Sequence, residues 1–136
     1  MIDPQIEENL EKLKESLVTE INSLNPIIIF DDATKFLTIE CPWRLTYNQE
    51  VLVGFYEYNH EQTKQECTKK FENYLIGKRL KDIILKDKIA DITLIFEGNL
   101  VLDLFHTSSL FEGWQISGEN GFLLISLPGG RLTYSE

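Results

Sequence analysis

The sequence predicts an α+β fold: a single domain built on a largely antiparallel, twisted sheet of about six to eight strands, with an N-terminal helix and one central helix on one face or end. Three observations carry this. Apolar residues alternate on both sides of Glu97-Gly98-Asn99, the pattern of a half-buried hairpin. Further alternating stretches follow one another through tight turns, which argues against parallel βαβ units. Only two segments, about 4–23 and about 60–76, carry helical spacing. A chain of 136 residues that is 43% hydrophobic suffices for one core and one domain.

Asp3-Pro4 opens the first helix, since Asp caps and Pro suits the first helical position. Ile6, Leu10, Leu13, Leu17, Val18, Ile21 and Leu24 then recur at helical spacing, up to the break at Asn25-Pro26. Pro26–Phe30 reads as a short apolar strand or a buried extended lead-in, and Asp31–Thr34 as a turn. Phe36–Tyr47 is predicted as one long or kinked strand in which Pro42 marks a bulge or an edge. An Asn48-Gln49 turn returns the chain through Val51–Tyr58. That register sets Leu45 opposite Leu52 and Trp43 opposite Gly54, where the indole covers bare backbone. Asn59 and Gln62 resemble a capping pair for the central helix. Cys67, Phe71, Tyr74 and Leu75 give that helix its apolar face, and Gly77 ends it.

Leu80–Leu85 is a strand leading into the hairpin. Within the hairpin, a three-residue loop at 97–99 pairs Phe96 with Leu100, Leu94 with Leu102 and Ile92 with Leu104. A two-residue loop would mix the faces, so the first register wins. Asn99 then takes a left-handed conformation, and Thr93 faces Asp103 on the mixed side. Trp114–Ile116 is a third strand after the hairpin. Gly118–Gly121 turns into Phe122–Leu127, and Pro128-Gly129-Gly130 turns into Arg131–Tyr134. Phe36–Tyr47 and Phe122–Tyr134 echo one another. Equivalent strand–turn units and coincidence both produce such an echo, and coincidence is narrowly preferred.

The net charge of −9 and the pI near 4.7 disfavour nucleic acid and anionic membranes and suit a basic partner, although many soluble proteins are acidic only to stay dispersed. The N-terminus is acidic and lacks the apolar core of a signal peptide, and no apolar run reaches membrane-spanning length. Cys41 and Cys67 have neither metal nor redox spacing, which favours buried, reduced thiols in a cytoplasmic protein over a disulfide.

No motif carries chemistry. His60 lacks a second histidine at zinc-motif spacing and reads as solvent-facing. His106, beside Ser108 and Ser109, lacks a nucleophile elbow. Asp91, Glu97, Asp103 and Glu112 are spread over both ends of the hairpin, so neither a metal nor another cofactor is expected. Asp103 stands out because its strand neighbours are apolar, and Arg44 is placed to pair with a carboxylate across the sheet. Trp114 is most simply a core residue, though tryptophan also favours binding hot spots. Asp103, Glu112, Trp114 and Arg44 are therefore the candidate binding residues. Lys78, Arg79, Lys81, Lys86 and Lys88 form one local basic run in an acidic chain.

Cys41-Pro-Trp-Arg-Leu45, Leu75-Ile-Gly-Lys-Arg-Leu80, Asp91–Phe105 and Glu112-Gly-Trp-Gln-Ile116 together resemble a group of small bacterial proteins of unknown function. Some of that group are regarded as immunity-type proteins of contact-dependent or polymorphic toxin systems. The likeness spans about 36–116 and rests on strand patterns, so it transfers no active-site residues. It implies a non-enzymatic protein-binding role, with a basic toxin as partner. Two alternatives stand beside it. One is a structural module that homodimerises through the N-terminal helix or an exposed strand. The other is a small-ligand domain with its site on the sheet's concave face.

Overall fold

In the computed structural model, which describes residues 2–136, strand β3 (Lys35–Ile39) does not run on into β4 (Trp43–Tyr47). Pro42 has no amide hydrogen to continue a ladder, and between Glu40 and Pro42 the chain leaves one sheet for another. The continuous strand predicted over 36–47 is thus two strands in different sheets. The return crossing runs from β8 (Leu100–Leu104) to β9 (Trp114–Ser117), with β8 paired to β4 and β9 to β3. The third strand therefore follows the hairpin in sequence but lies in the opposite sheet. Strands that switch sheets in this way make the corner of a two-layer β structure.

Four more strands, β1 (Val18–Asn22), β2 (Ile27–Phe30), β10 (Leu123–Ser126) and β11 (Leu132–Ser135), complete a six-stranded sheet of order β1-β2-β3-β9-β10-β11. The strands β5 (Glu50–Gly54), β6 (Leu80–Leu85) and β7 (Ile92–Phe96) complete a five-stranded sheet of order β5-β4-β8-β7-β6. Every pairing is antiparallel. The α+β class with antiparallel pairing is as predicted. The strands divide between two sheets because one twisted layer would leave its apolar face in water.

The inner faces make the core. Across the six-stranded sheet, Ile21, Ile28, Leu37, Ile116, Leu124 and Tyr134 form one inward row. Leu45, Leu102, Leu94 and Ile83 form another across the five-stranded sheet. The first of these has two outward rows as neighbours, Glu20–Ile29–Phe36–Ser117–Leu123–Ser135 and Asn22–Ile27–Thr38–Gln115–Ile125–Thr133.

The hairpin β7–β8 has the predicted register, with Phe96 opposite Leu100, Leu94 opposite Leu102 and Ile92 opposite Leu104. Asn99 is left-handed at φ 61° and Gly98 at φ 76°. The hairpin β4–β5 differs from prediction. Its Asn48-Gln49 turn forms with both residues at positive φ, but a bulge leaves Leu52 over and puts Val53 opposite Leu45 and Gly54 opposite Arg44. Both Leu45 and Val53 thereby reach the core. Trp43 does not cover Gly54; it packs against Tyr58 and Phe71, with centroids 5.1 and 4.8 Å away.

The N-terminal helix is shorter than predicted. α1 covers Pro4–Glu11, capped by Asp3, whose side chain accepts the Gln5 amide at 2.8 Å. The segment from Val18 is strand, not helix. A bulge between Val18 and Glu20 places Val18 and Ile21, three apart, on the same buried face, which reproduces helical spacing in a strand. Val18 and Ile21 are β-branched and find partners in β2, and this pairing decides the state. Just ahead of β1, Leu17 bridges Arg79, so β1 and β6 are stitched together at one end.

The strand predicted over 51–58 ends at Gly54 and is followed by the single turn α2 (Phe55–Tyr58), which lets Tyr58 turn inward and donate to the Ser23 carbonyl at 2.7 Å. The central helix α3 spans Lys64–Leu75 and buries Cys67, Phe71 and Leu75. Its N-cap is Thr63, not Asn59; the Asn59 side chain instead donates to the Phe55 carbonyl in α2. Gly77, at φ 89°, ends the helix as predicted. No helix among the described residues is long and apolar enough to cross a membrane.

Candidate functional site

The corner where the strands change sheets brings together His106, Ser108 and Asp91 from among the polar residues singled out in the sequence. β8 runs out at His106, and its ring is buried between the sheets. His106 Nε2 lies 2.8 Å from the Ser108 carbonyl oxygen, so it carries the hydrogen and donates. Its Nδ1 is 3.0 Å from Ser126 Oγ. That oxygen already accepts the Gly113 and Trp114 amides at 3.1 and 2.9 Å. The Ser126 hydroxyl hydrogen is therefore left to donate to Nδ1, and every polar atom of the pair has a partner. Ser126 is fully buried, so this serine–histidine contact is a structural tie between β8 and β10.

Gly113 fits under this tie for a steric reason. A Cβ there would lie 2.5 Å from His106 Nδ1 and 2.7 Å from Ser126 Oγ. Next in sequence, Trp114 is wholly buried, and its indole donates to the Ala90 carbonyl at 2.7 Å. It is a core residue, not a surface anchor.

The tie also fixes the connection between β8 and β9. The Ser108 carbonyl receives the Gly129 amide at 3.0 Å in addition to His106. The Ser108 hydroxyl oxygen accepts the amides of Leu110 and Phe111 at 3.0 and 2.9 Å. This turn holds two large apolar side chains of the connection outward: Leu110 is 76% exposed and Phe111 71%. Neither was singled out from sequence. The available signal was an adjacent apolar pair inside a polar link, out of phase with any strand. Glu112, at the end of the link, accepts the Gln115 side-chain amide at 2.8 Å.

Asp103 and Arg44 meet on the outer face of the five-stranded sheet. Asp103 takes Thr93 Oγ1 at 2.6 Å and Arg44 Nε at 3.2 Å. The guanidinium also sits 5.3 Å from the centre of the Phe105 ring. Beside them, between the Asn48-Gln49 and Gly98-Asn99 turns, lies a shallow concavity floored by Thr46, Ile95 and Val101. The Asn99 side chain donates to the Asn48 side chain across the two turns at 3.0 Å.

The other acids and thiols stay apart. Asp91 accepts the His106 amide, and Glu97 accepts the Arg79 amide. His60 is exposed at the approach to α3. Among the described residues no three His, Cys, Asp or Glu side chains gather closely enough to hold a metal ion. Cys41 and Cys67 are both free and buried. Burial pushes the Cys41 thiol up to about 12, and burial raises that of Cys67 as well. Comparison with protein-family models, with curated proteins and with solved structures finds no match for this chain.

Proposed function

We propose that the chain is a non-enzymatic binding protein that docks a basic partner protein through the 106–112 connection and the adjoining Arg44–Phe105 surface. An immunity-type inhibitor of a cationic toxin in the cytoplasm fits this reading. The observation that carries it is the display of Leu110 and Phe111. Two large apolar side chains stand in water on a backbone that Ser108 and His106 hold in place. Pre-organised apolar anchors lose little entropy on binding, which is how hot spots are built. The net charge of −9 supports a cationic partner, because it speeds encounter with a basic surface and repels phosphate. The resemblance of residues 36–116 to a group of small bacterial proteins of unknown function, some of them regarded as immunity-type, points the same way. A non-catalytic role is supported by the serine–histidine pair, whose polar atoms are all engaged in hydrogen bonds and whose serine is fully buried.

The small-ligand reading draws on the concavity beside Asp103. It is the weaker reading, because the two charged groups there, Arg44 and Asp103, already satisfy each other and Thr93. The test is growth protection and direct binding with purified basic toxin domains from neighbouring reading frames. Wild type should protect, and a Leu110→Ala/Phe111→Ala double variant that melts like wild type should not. Absence of both binding and protection by wild type would overturn the proposal.

A further inference from the structure

The outer face of the six-stranded sheet is built unlike an ordinary solvent face. Antiparallel strands with one wet side alternate apolar and polar residues, whereas strands covered on both sides read as unbroken apolar runs. Here β2 reads Ile27-Ile28-Ile29-Phe30, and β10 reads Leu123-Leu124-Ile125 before Ser126. Within the chain, only one side of each is buried. Ile28, Phe30 and Leu124 point into the core, while Ile27, Ile29, Leu123 and Ile125, together with Phe36 of β3, face the other side and are only partly buried. Helix α3 packs at β1 and β5. In the two outward rows the polar members are Asn, Gln, Ser and Thr, and Glu20 at the β1 edge is the one charged side chain. That composition stands out in a chain in which 26% of residues are charged, and charge depletion around apolar residues marks the centre of an interface.

We infer that this face is the contact between two copies of the chain, which pair sheet against sheet. Charge selects the occupant. A cationic partner is attracted by carboxylates, which these rows lack except at one edge. Two copies at −9 each repel wherever charged surfaces meet, and a neutral face is where they can approach. The size is also adequate. Six strands about 4.8 Å apart, at about 3.3 Å per residue, present roughly 450 Å² in projection. Pairing two such faces, with side-chain relief included, buries on the order of 1,000 Å², the lower bound for a specific interface. The N-terminal helix is not the dimer surface, since its Ile6 and Leu10 are buried within the chain.

The experiment is sedimentation equilibrium of the full chain, without any partner, from about 1 μM to about 1 mM, a range set by the affinity of a small interface. The expected result is a shift from the 15.8 kDa monomer to twice that mass. The shift should persist or strengthen as salt rises from about 0.05 to about 1 M, because an apolar contact is not screened. Ile29→Thr/Ile125→Thr, chosen to keep β propensity, should weaken the dimer at least tenfold, whereas Val101→Thr on the other sheet should leave it unchanged. If the paired variant unfolds, protection of the Phe36 and Ser117 amides from hydrogen exchange in wild type should still rise with concentration. A monomer at every concentration, a dimer lost in high salt, or a dimer indifferent to the paired variant when it folds would each overturn the inference.

Discussion

The two sheets bury their inner faces alike and treat their outer faces differently. The five-stranded sheet carries an ion pair in its outer rows, Arg44 with Asp103, and its concavity is framed by two polar turns. The six-stranded sheet has apolar and uncharged polar side chains there, with Glu20 at one edge. A charged outer row keeps a sheet soluble as a monomer surface, and a neutral one suits contact with another body. The difference teaches that alternation along a strand reports how many of its sides are covered. Hence β2 and β10 say more about assembly than the better-alternating β4 does.

The sharpest way to break this contrast is to truncate the two sides of one strand. Leu37→Ala, on the inner side of β3, should cost about 2–5 kcal/mol in urea unfolding, because it leaves a cavity in a closed core. Phe36→Ala, its outward neighbour, should cost well under half of that when measured at dilute, monomeric concentration. Equal costs would mean that the outer side is already covered within the chain.

The corner joining the faces comes next in size. Gly113→Ala should cost about 1–3 kcal/mol, since the new methyl meets His106 and Ser126. It should also speed proteolysis of the 107–112 connection. Unchanged proteolysis would show that the connection holds its shape without the tie. Leu110→Ala/Phe111→Ala, in contrast, should move stability by no more than about 0.5 kcal/mol, as expected for exposed side chains. A larger loss in thermal melting would mean that the pair packs on the body of the protein.

Arg44→Ala should cost at most about 1 kcal/mol, because the guanidinium is more than half exposed and its ion pair is screened. The smallest effect concerns acid. Burial alone would raise the Asp31 carboxyl, but the Lys35 ammonium and the Leu17 amide outweigh it and hold the group below its ordinary value of 3.8. A depressed carboxylate contributes stability above the unfolded value and loses it as pH falls through the lower folded value. Melting curves below about pH 3.8 should therefore fall more steeply for wild type than for Asp31→Asn. Parallel curves would remove Asp31 from the account.

Much of the local structure was legible. The β7–β8 register followed from side-chain alternation, because a slip of one residue would have turned the whole apolar set outward. That Arg44 meets a carboxylate across the sheet was legible from its apolar strand neighbours; that the carboxylate is Asp103 follows from the β4–β8 pairing, which was not. What misled the reading was bulges. One made Val18 and Ile21 look helical, and another moved β5 by one residue against β4. The site was less legible than the fold. Asp103, Arg44, Glu112 and the core position of Trp114 can be read from their strand neighbours, whereas Ser126, Leu110 and Phe111 carry no such local signal. The Ser126 contact joins residues 20 positions apart. The exposure of Leu110 and Phe111 depends on a turn made by Ser108, and neither relation has a local signature.

The echo between Phe36–Tyr47 and Phe122–Tyr134 shows where the boundary lies. The same run of side chains crosses between sheets at Cys41-Pro42 in one case and folds back as the β10–β11 hairpin after Pro128-Gly129-Gly130 in the other. By itself the sequence determined the α+β class, the face of most strands and the tight turns, because these depend on neighbours a few residues away. Only the tertiary structure decided which sheet each strand joins and which apolar side chains stay in water, since both depend on partners far along the chain competing to cover one core.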